Sequence, residues 1–346
     1  MNTYSSMSQS VPNSENVTRT VFENGMTVLI RENHAAPVVV MEGLLPAGAI
    51  HDPDDKAGTS QFVASMLMRG STHFTFDEFN QTIENVGASL SVSAGAHSTD
   101  FGSTSLSEDF PRMVEVMADT LRRPMFPSEH IERVRNQKLI QIQERENDTQ
   151  QVAGLLFYET IYGNHPYGRS SAGYTETVNR IQREDLLAFH AQRFTPKGAA
   201  LVVAGDVDTE GVVDLLHSHF GDWSGPVADQ SVPAIQTRKE VERLSVPLPD
   251  KMQTDIVVGC QAVGRSHPDY YAIRMADTVL GRFGMMGRLG ENVREEQGLA
   301  YYVYSTHDAN LAGGVWLAAA AVNPANVELA IDSILAEFDR LGSKPV

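Results

Sequence analysis

The sequence predicts a chain of mixed helices and strands in which one arrangement is used twice. Three observations carry this. The segments after Val38 and those after Thr254 follow the same order: strand, helix, helix, strand, strand, helix. A non-periodic stretch, Gly221–Glu240, rich in Pro, Ser, Asp and Gln, separates the two runs and has the character of a linker. Within the first run, Ser89–Ala96 alternates polar and apolar residues and pairs with Asp100–Leu106 as an antiparallel neighbour. An architectural duplication, rather than a solenoid, explains this order.

Taken from the start, residues 1–18 have neither a cationic start nor an apolar segment; they are no signal peptide and read as a disordered arm. In Val21–Glu32, Asn24-Gly25 lies between apolar residues and predicts a tight hairpin turn, because both residues tolerate positive φ. Val38–Leu45 is an apolar strand. A helix opens at Gly58-Thr59 and closes at Gly70, with Phe62, Val63, Met66 and Leu67 on one face. The next runs over about Thr75–Val86. Ser107 reads as the N-cap of a helix to Leu121, and Ser128 as the cap of a long helix to Asn147. Asp148 starts another through Tyr162; Glu184–Phe194 and Thr209–Phe220 are further helices, with a short strand at Ala199–Ala204. In the second run the strands are Thr254–Ala262, Leu299–Ser305 and Gly314–Ala321. The helices are Tyr270–Leu280, a segment ending at Gln297, and Pro324–Leu341. Against the first copy, the second stops short by about 80–100 residues if the two are alike.

Composition narrows the function. At 346 residues the chain has material for two or three domains, and 42% hydrophobic with 21% charged residues is ordinary for a globular protein. A formal net charge of −17 argues against nucleic acid or an anionic membrane as the main partner, and suits cationic peptides. The single cysteine, Cys260, excludes an internal disulfide and reads as a buried strand thiol. No apolar run reaches membrane-spanning length, so a cytoplasmic location is expected, with export left open. The eleven histidines offer one close pair, His217 and His219, which point to different faces of a helix.

Several motifs stand in a telling order: Asn24-Gly25-Met26-Thr27-Val28, the helix within Ala57–Thr72, and His165-Pro166-Tyr167-Gly168. Ala199–Asp206 follows, and Val293-Arg294-Glu295-Glu296-Gln297-Gly298-Leu299-Ala300-Tyr301 completes the series. With the duplication, this order resembles the M16 family of zinc peptidases, the insulinase and mitochondrial-processing-peptidase group, over about residues 19–342. The resemblance implies an α+β fold of tandem duplicated domains. Each domain packs an antiparallel-rich sheet against helices, and such halves enclose a peptide chamber. It places a first domain at 19–222, a linker at 223–242 and a second, incomplete domain at 243–346.

In active members of the family an H-x-x-E-H helix supplies two zinc histidines and a general-base glutamate, and a later helix supplies a third ligand. Carried onto this chain, the histidine positions hold Gln61 and Ser65, the base position Ala64, and the distal position Gln141. Catalytic zinc needs three protein ligands and an open position for water. Gln and protonated Ser are poor ligands, Ala is none, and no carboxylate at 64 remains to take a proton. Glu144, one turn beyond Gln141, does not make a zinc site by itself. The resemblance also implies that Arg294 and Tyr301 bind the substrate backbone and steady the tetrahedral intermediate, roles suited to guanidinium and phenol donors. Gly281–Gly290 lacks the G-K-[ST] of a phosphate loop. It reads either as a Met-bearing substrate contact or as a plain helix–helix connection.

The expectation is therefore a non-catalytic subunit with no zinc of its own. It pairs with a zinc-bearing homologue and lends it Arg294, Tyr301 and part of the chamber wall. A second expectation, from another class, is a peptide-binding or scaffold protein that kept only the fold. An independently active zinc metalloendopeptidase is the third.

Overall fold

Alternating burial along β3 (Val38–Leu45), with Val39, Met41 and Leu45 turned inward, sets the middle of a six-stranded sheet. In the computed structural model, which describes residues 13–227 and 229–343, the other strands are β1 (Thr18–Val21), β2 (Thr27–Glu32), β4 (Ser89–Ala94), β5 (Thr99–Leu106) and β6 (Ala200–Gly205). Their order is β1-β2-β6-β3-β5-β4. Only β2 and β6 run parallel; every other pair is antiparallel. Of the arm read over residues 1–18, residues 1–12 lie outside the described residues, and Thr18 already belongs to β1.

The first hairpin turns at Asn24-Gly25 as expected, but only one of the two residues takes positive φ. Phe22 N–H bonds Met26 O at 2.9 Å and Gly25 N–H bonds Phe22 O at 2.9 Å, leaving a three-residue loop. Only Gly25 has positive φ, at 89°, as three-residue hairpins require at their last loop position. Asn24 serves through its side chain instead, donating to Phe220 O at 2.7 Å and accepting from Met26 N–H at 3.1 Å.

The helices that cover this sheet are α1 (Thr59–Leu67), α2 (Phe76–Glu84), α3 (Phe110–Arg122), α6 (Thr175–Arg180), α7 (Arg183–Arg193) and α8 (Thr209–Phe220), with the first part of α4 (Ser128–Glu146). Helix α5 (Thr149–Tyr162) follows α4 in the chain. Thr75 and Glu78 form a full capping box on α2. Ser107 is not the cap of α3. That helix starts after Asp109, and the Ser107 hydroxyl donates to Asp206 at 3.0 Å, because the chain leaving β5 makes one more turn before the helix. The six-residue α6 has too little apolar periodicity to stand out in the sequence.

The chain divides into two compact units. One runs up to Ile140 and resumes at Ser170–Gln230; the other takes Gln141–Arg169 and the chain from Ser231 onward. The second unit holds β7 (Thr254–Ala262), β8 (Ala300–Ala309) and β9 (Gly314–Val322), paired antiparallel in the order β7-β9-β8. This is the order of β3-β5-β4, so the duplication extends to topology. Helices α9 (Tyr270–Asp277) and α10 (Val327–Ser343) complete the repeat. The helix expected at Tyr270–Leu280 forms as α9 over Tyr270–Asp277 and continues as a π-helical stretch, Thr278–Arg282. The segment expected to end at Gln297 is a second π-helical stretch, Gly290–Glu296. Cys260 is exposed, not buried. It lies near the end of β7, an edge strand, where residues 259 and 260 run past the cover of the core.

Gly58 starts α1 in the left-handed region at φ 100°, and a Cβ there would meet Ala172 O at 2.9 Å. Both the backbone conformation and the space require glycine. Gly58→Ala is expected to lower stability by about 1–3 kcal/mol, read as a reduced denaturant midpoint with an unchanged slope. Wild-type stability in this variant would remove the constraint.

Candidate functional site

The amphipathic pattern of α1 buries Phe62, Val63, Met66 and Leu67 against β4 and α7. Its first turn is held by a carboxylate. Asp52, 5% exposed, accepts from Gly58 N–H at 2.8 Å, Ser60 N–H at 2.9 Å and the Ser60 hydroxyl at 3.3 Å. A negative charge is favoured there because the first N–H groups of a helix lack intrahelical partners and carry its positive pole. The Ala57 carbonyl just before the helix accepts from the Thr177 hydroxyl at 2.8 Å, tying α6 to the same corner.

Two buried cations come from α4, on a stripe spaced for burial: Ile131, Val134, Arg135, Lys138 and Ile142. Arg135 sits 5.5 Å over the Phe62 ring and donates to Ile181 O at 2.8 Å. Lys138 is 7% exposed. Burial pushes its ammonium down to about 8, and the Asp52 charge opposes that shift. Neither Asp52 nor Lys138 was picked out from the sequence. The signal was present in two charged residues on the apolar spacing of one helix.

The three positions of α1 where a metal motif would sit are occupied otherwise. Gln61 is half-buried, and its amide donates to the Ser171 hydroxyl at 3.1 Å. The Ser65 hydroxyl donates to Gln61 O at 2.8 Å, a bond back to the preceding turn. Ala64 is buried, with no polar side-chain atom. These residues do not fit a zinc ion: a neutral amide, a hydroxyl engaged with the backbone and a methyl group are not the donor set that zinc takes. Gln141 and Glu144 are exposed on α4. His217 is exposed and meets the Phe22 ring edge-on at 5.3 Å. Among the described residues no three His, Cys, Asp or Glu side chains gather to hold a metal.

Arg294 and Tyr301 stand at the two ends of one helix-to-strand turn in the second unit. Arg294 lies in the last turn of the π-helical stretch Gly290–Glu296, its guanidinium one-third exposed and 3.7 Å from Glu295. The turn is closed by Gly298 N–H to Arg294 O at 3.0 Å and Leu299 N–H to Val293 O at 3.0 Å. Gly298 itself adopts φ 63°, the left-handed stop common at helix ends. Tyr301 is the extra residue of a β-bulge: Ala300 pairs with Val322 and Tyr302 with Ala321. The bulge leaves the Tyr301 side chain 80% exposed. Its guanidinium and phenol are donors open to an acceptor from outside. In Gly281–Gly290, backbone meets backbone, since a Cβ at Gly287 would lie 2.7 Å from Gly281 Cα. The stretch is a close-packed connection whose Phe283, Met285 and Met286 face outward.

Comparison with known proteins agrees with this architecture. Residues 27–174 match the profile of the family described as Insulinase (Peptidase family M16), and residues 180–346 that of the Peptidase M16 inactive domain. An uncharacterized zinc protease of Mycobacterium leprae is 29% identical over 330 residues, spanning 93% of this chain and 74% of the relative. The mitochondrial-processing peptidase subunit beta of Bos taurus is 29% identical over 266 residues, spanning 76% of this chain and 54% of that subunit. A solved peptidase M16 inactive domain from Pseudomonas fluorescens matches with a TM-score of 0.89 at 23% identity. It covers 96% of this chain and 80% of its own. A protease from Helicobacter pylori matches with a TM-score of 0.85 at 18% identity, over 94% and 82% of the two chains.

The buried ammonium of Lys138 gives a pH-dependent prediction. Its drop from the ordinary 10.5 to about 8 costs the folded state about 3 kcal/mol wherever the group is charged in both states. Lys138→Met is expected to raise stability at pH 7 by about 1–3 kcal/mol, because it removes that cost while Asp52 keeps its three donors from Gly58 and Ser60. Above pH 8 the folded wild type sheds the proton before the unfolded chain does, so wild-type stability recovers and the gain shrinks toward pH 10.5. Urea titrations at pH 7 and pH 10 test this. A variant less stable than wild type at pH 7 contradicts it.

Proposed function

The chain belongs to the M16 peptidase family, and from that premise we propose that it is a non-catalytic subunit that pairs with a zinc-bearing M16 partner. It lends that partner Arg294, Tyr301 and a wall of the peptide chamber. The observation that carries the reading is a contrast within one chain. The helix at the metal position has Gln61, Ala64 and Ser65, whose polar groups bond each other and Ser171. The 294–301 turn instead presents two donors on irregular backbone.

The chemistry of the two residues suits this role. A peptide carbonyl under attack gains negative charge on oxygen, and fixed donors aimed at that oxygen lower the barrier. The Arg294 guanidinium offers N–H donors in a planar fork, and the Tyr301 side chain offers an O–H donor. The catalytic zinc and its water belong, in this reading, to the partner. Zinc analysis of the purified chain is expected to find no stoichiometric metal. A full equivalent would overturn the assignment of 61, 64, 65 and 141 as degenerate positions.

The pairing is tested by co-expression with an M16 homologue whose H-x-x-E-H is intact, followed by peptide cleavage assays. Arg294→Ala in this chain is expected to lower kcat of the pair by about 10²–10³-fold, the size of losing one oxyanion donor, and Tyr301→Phe by a smaller factor. A pair that forms and keeps full turnover with both substitutions sinks the proposal. Failure to pair, with peptide binding retained by this chain alone, favours the scaffold reading.

A further inference from the structure

The three-stranded sheet of the second unit has two unlike faces. Val303, Ser305 and His307 of β8 turn inward, and Ala318, Ala320 and Val322 of β9 line the core with Leu280 and Ile334. Period-two alternation therefore puts Tyr302, Tyr304, Thr306 and Asp308 on the opposite face. Helix α5 lies over β7 on that side. Between helix and sheet is a cavity of about 90 Å³, lined by Gln150, Gly154 and Tyr158 of α5, Asp255 of β7, and Tyr302 and Tyr304 of β8, among others.

The lining is largely apolar, with Val257, Leu317 and Ala319 beside three phenol rings and one carboxylate, and it holds no Lys, Arg or His. The Tyr302 and Tyr304 rings stack, with centroids 5.9 Å apart and planes at 26°. The Tyr302 hydroxyl donates to Asp255, and the Tyr158 hydroxyl donates to Asp308 at 3.0 Å. Donation to a carboxylate leaves each ring richer in electrons, which favours a cation at its face. Burial first, and the neighbouring carboxylates second, hold both hydroxyls far above the ordinary tyrosine range, so they stay protonated and keep these bonds. Among the described residues, neither Asp255 nor Asp308 is in an ion pair with a basic side chain. Among those residues Asp255 accepts from Tyr302 and, at 3.2 Å, from Gln253. Two carboxylate oxygens offer about four acceptor positions, so room remains for a charged donor.

The cavity also has a size. A dry cavity of about 150 Å³ takes benzene, a ligand of six heavy atoms. A space of about 90 Å³ is smaller in rough proportion to the four heavy atoms of a guanidinium head. Gly154 maintains the space. It sits in the middle of α5, where glycine costs about 1 kcal/mol against alanine, and a Cβ built there meets nothing within 4 Å. From these observations, the geometry points to a binding site for one guanidinium group, the side chain of an arginine in a peptide. Its plane stacks on the tyrosine rings, and its N–H groups reach the Asp255 carboxylate, a combination that suits Arg better than Lys. The site lies wholly in the second unit and stands independently of the pairing proposed above.

The test is calorimetric titration of the full chain, without any partner, with Nα-acetyl-arginine amide, guanidinium chloride at low concentration, and Nα-acetyl-citrulline amide. Citrulline keeps the shape and loses the charge. The arginine derivative is expected to bind saturably, and the citrulline derivative at least about tenfold more weakly. Tighter binding of a Gly-Arg-Gly peptide than of guanidinium alone assigns the site to a peptide side chain. Equal binding assigns it to free guanidino compounds and overturns the peptide assignment. Gly154→Leu fills the cavity at a position of better helix propensity and is expected to weaken binding about tenfold or more without lowering Tm. Asp255→Asn keeps an acceptor for Tyr302 and removes the charge, with a similar loss. The proposal is overturned if the arginine derivative does not bind, if citrulline binds equally well, or if both variants leave affinity unchanged.

Discussion

One buried carboxylate sets the geometry around α1. Asp52 satisfies two backbone N–H groups and one hydroxyl at a helix start that begins on a left-handed glycine. A regular helix end leaves several N–H groups without partners, and burying them unpaired costs more than any single apolar contact returns. The same charge acts on the Lys138 ammonium, and with Arg135 and Asp119 these charged side chains share an interior built mainly of Phe, Met, Val and Leu. Buried charges of this kind add little net stability against a well-packed apolar alternative. Their value is positional: with Asp52 in place, α1 can start only at Gly58, and that start decides which faces Gln61, Ala64 and Ser65 present.

Much of this fold was legible because it rests on local patterns. Val38–Leu45, Thr209–Phe220 and Thr254–Ala262 have the bounds that apolar periodicity and capping residues predict. Thr75 and Asp148 cap as their residue types require. What escaped depended on residues far apart in the chain. No local pattern says that β6 joins β2 in parallel and β3 antiparallel, since the register links residues 27–32 to 200–205. Nor does one say that Gln141–Arg169 packs with the chain from Ser231. Ser107 is a good cap residue drawn away by Asp206, 99 positions on. Cys260 sits in an apolar run, yet the edge position of β7 exposes it. Burial is decided by what covers a strand, and the strand does not encode its cover.

At the candidate site the same division holds. At 61, 64 and 65 the residue types were visible in the sequence, and the hydrogen bonds add that the Gln61 amide engages Ser171 and the Ser65 hydroxyl the preceding turn. The residues at 294 and 301 were visible as a motif, but not the backbone that presents them. A π-helical turn and a β-bulge both interrupt regular pairing, and each leaves a side chain aimed away from the direction that a regular element would impose. Tyr301 owes its exposure to that one extra residue. Without the bulge, alternation would place it on the same face as Val303, in the core.

The second sheet carries this logic further. Alternation along β8 sends Val303, Ser305 and His307 to the core, and Tyr302 and Tyr304 to the face under α5. A helix lies over this aromatic row, and α5 turns Gln150, Gly154 and Tyr158 toward it. Close packing of that helix on the rings would be the lowest-energy arrangement for a purely structural contact. Gly154 withholds the side chain that would complete it. Beside the resulting gap, Asp255 has no basic partner among the described residues. A void and a carboxylate held only by neutral donors among the described residues each carry a cost. Their coincidence at one spot is what a cationic occupant would relieve.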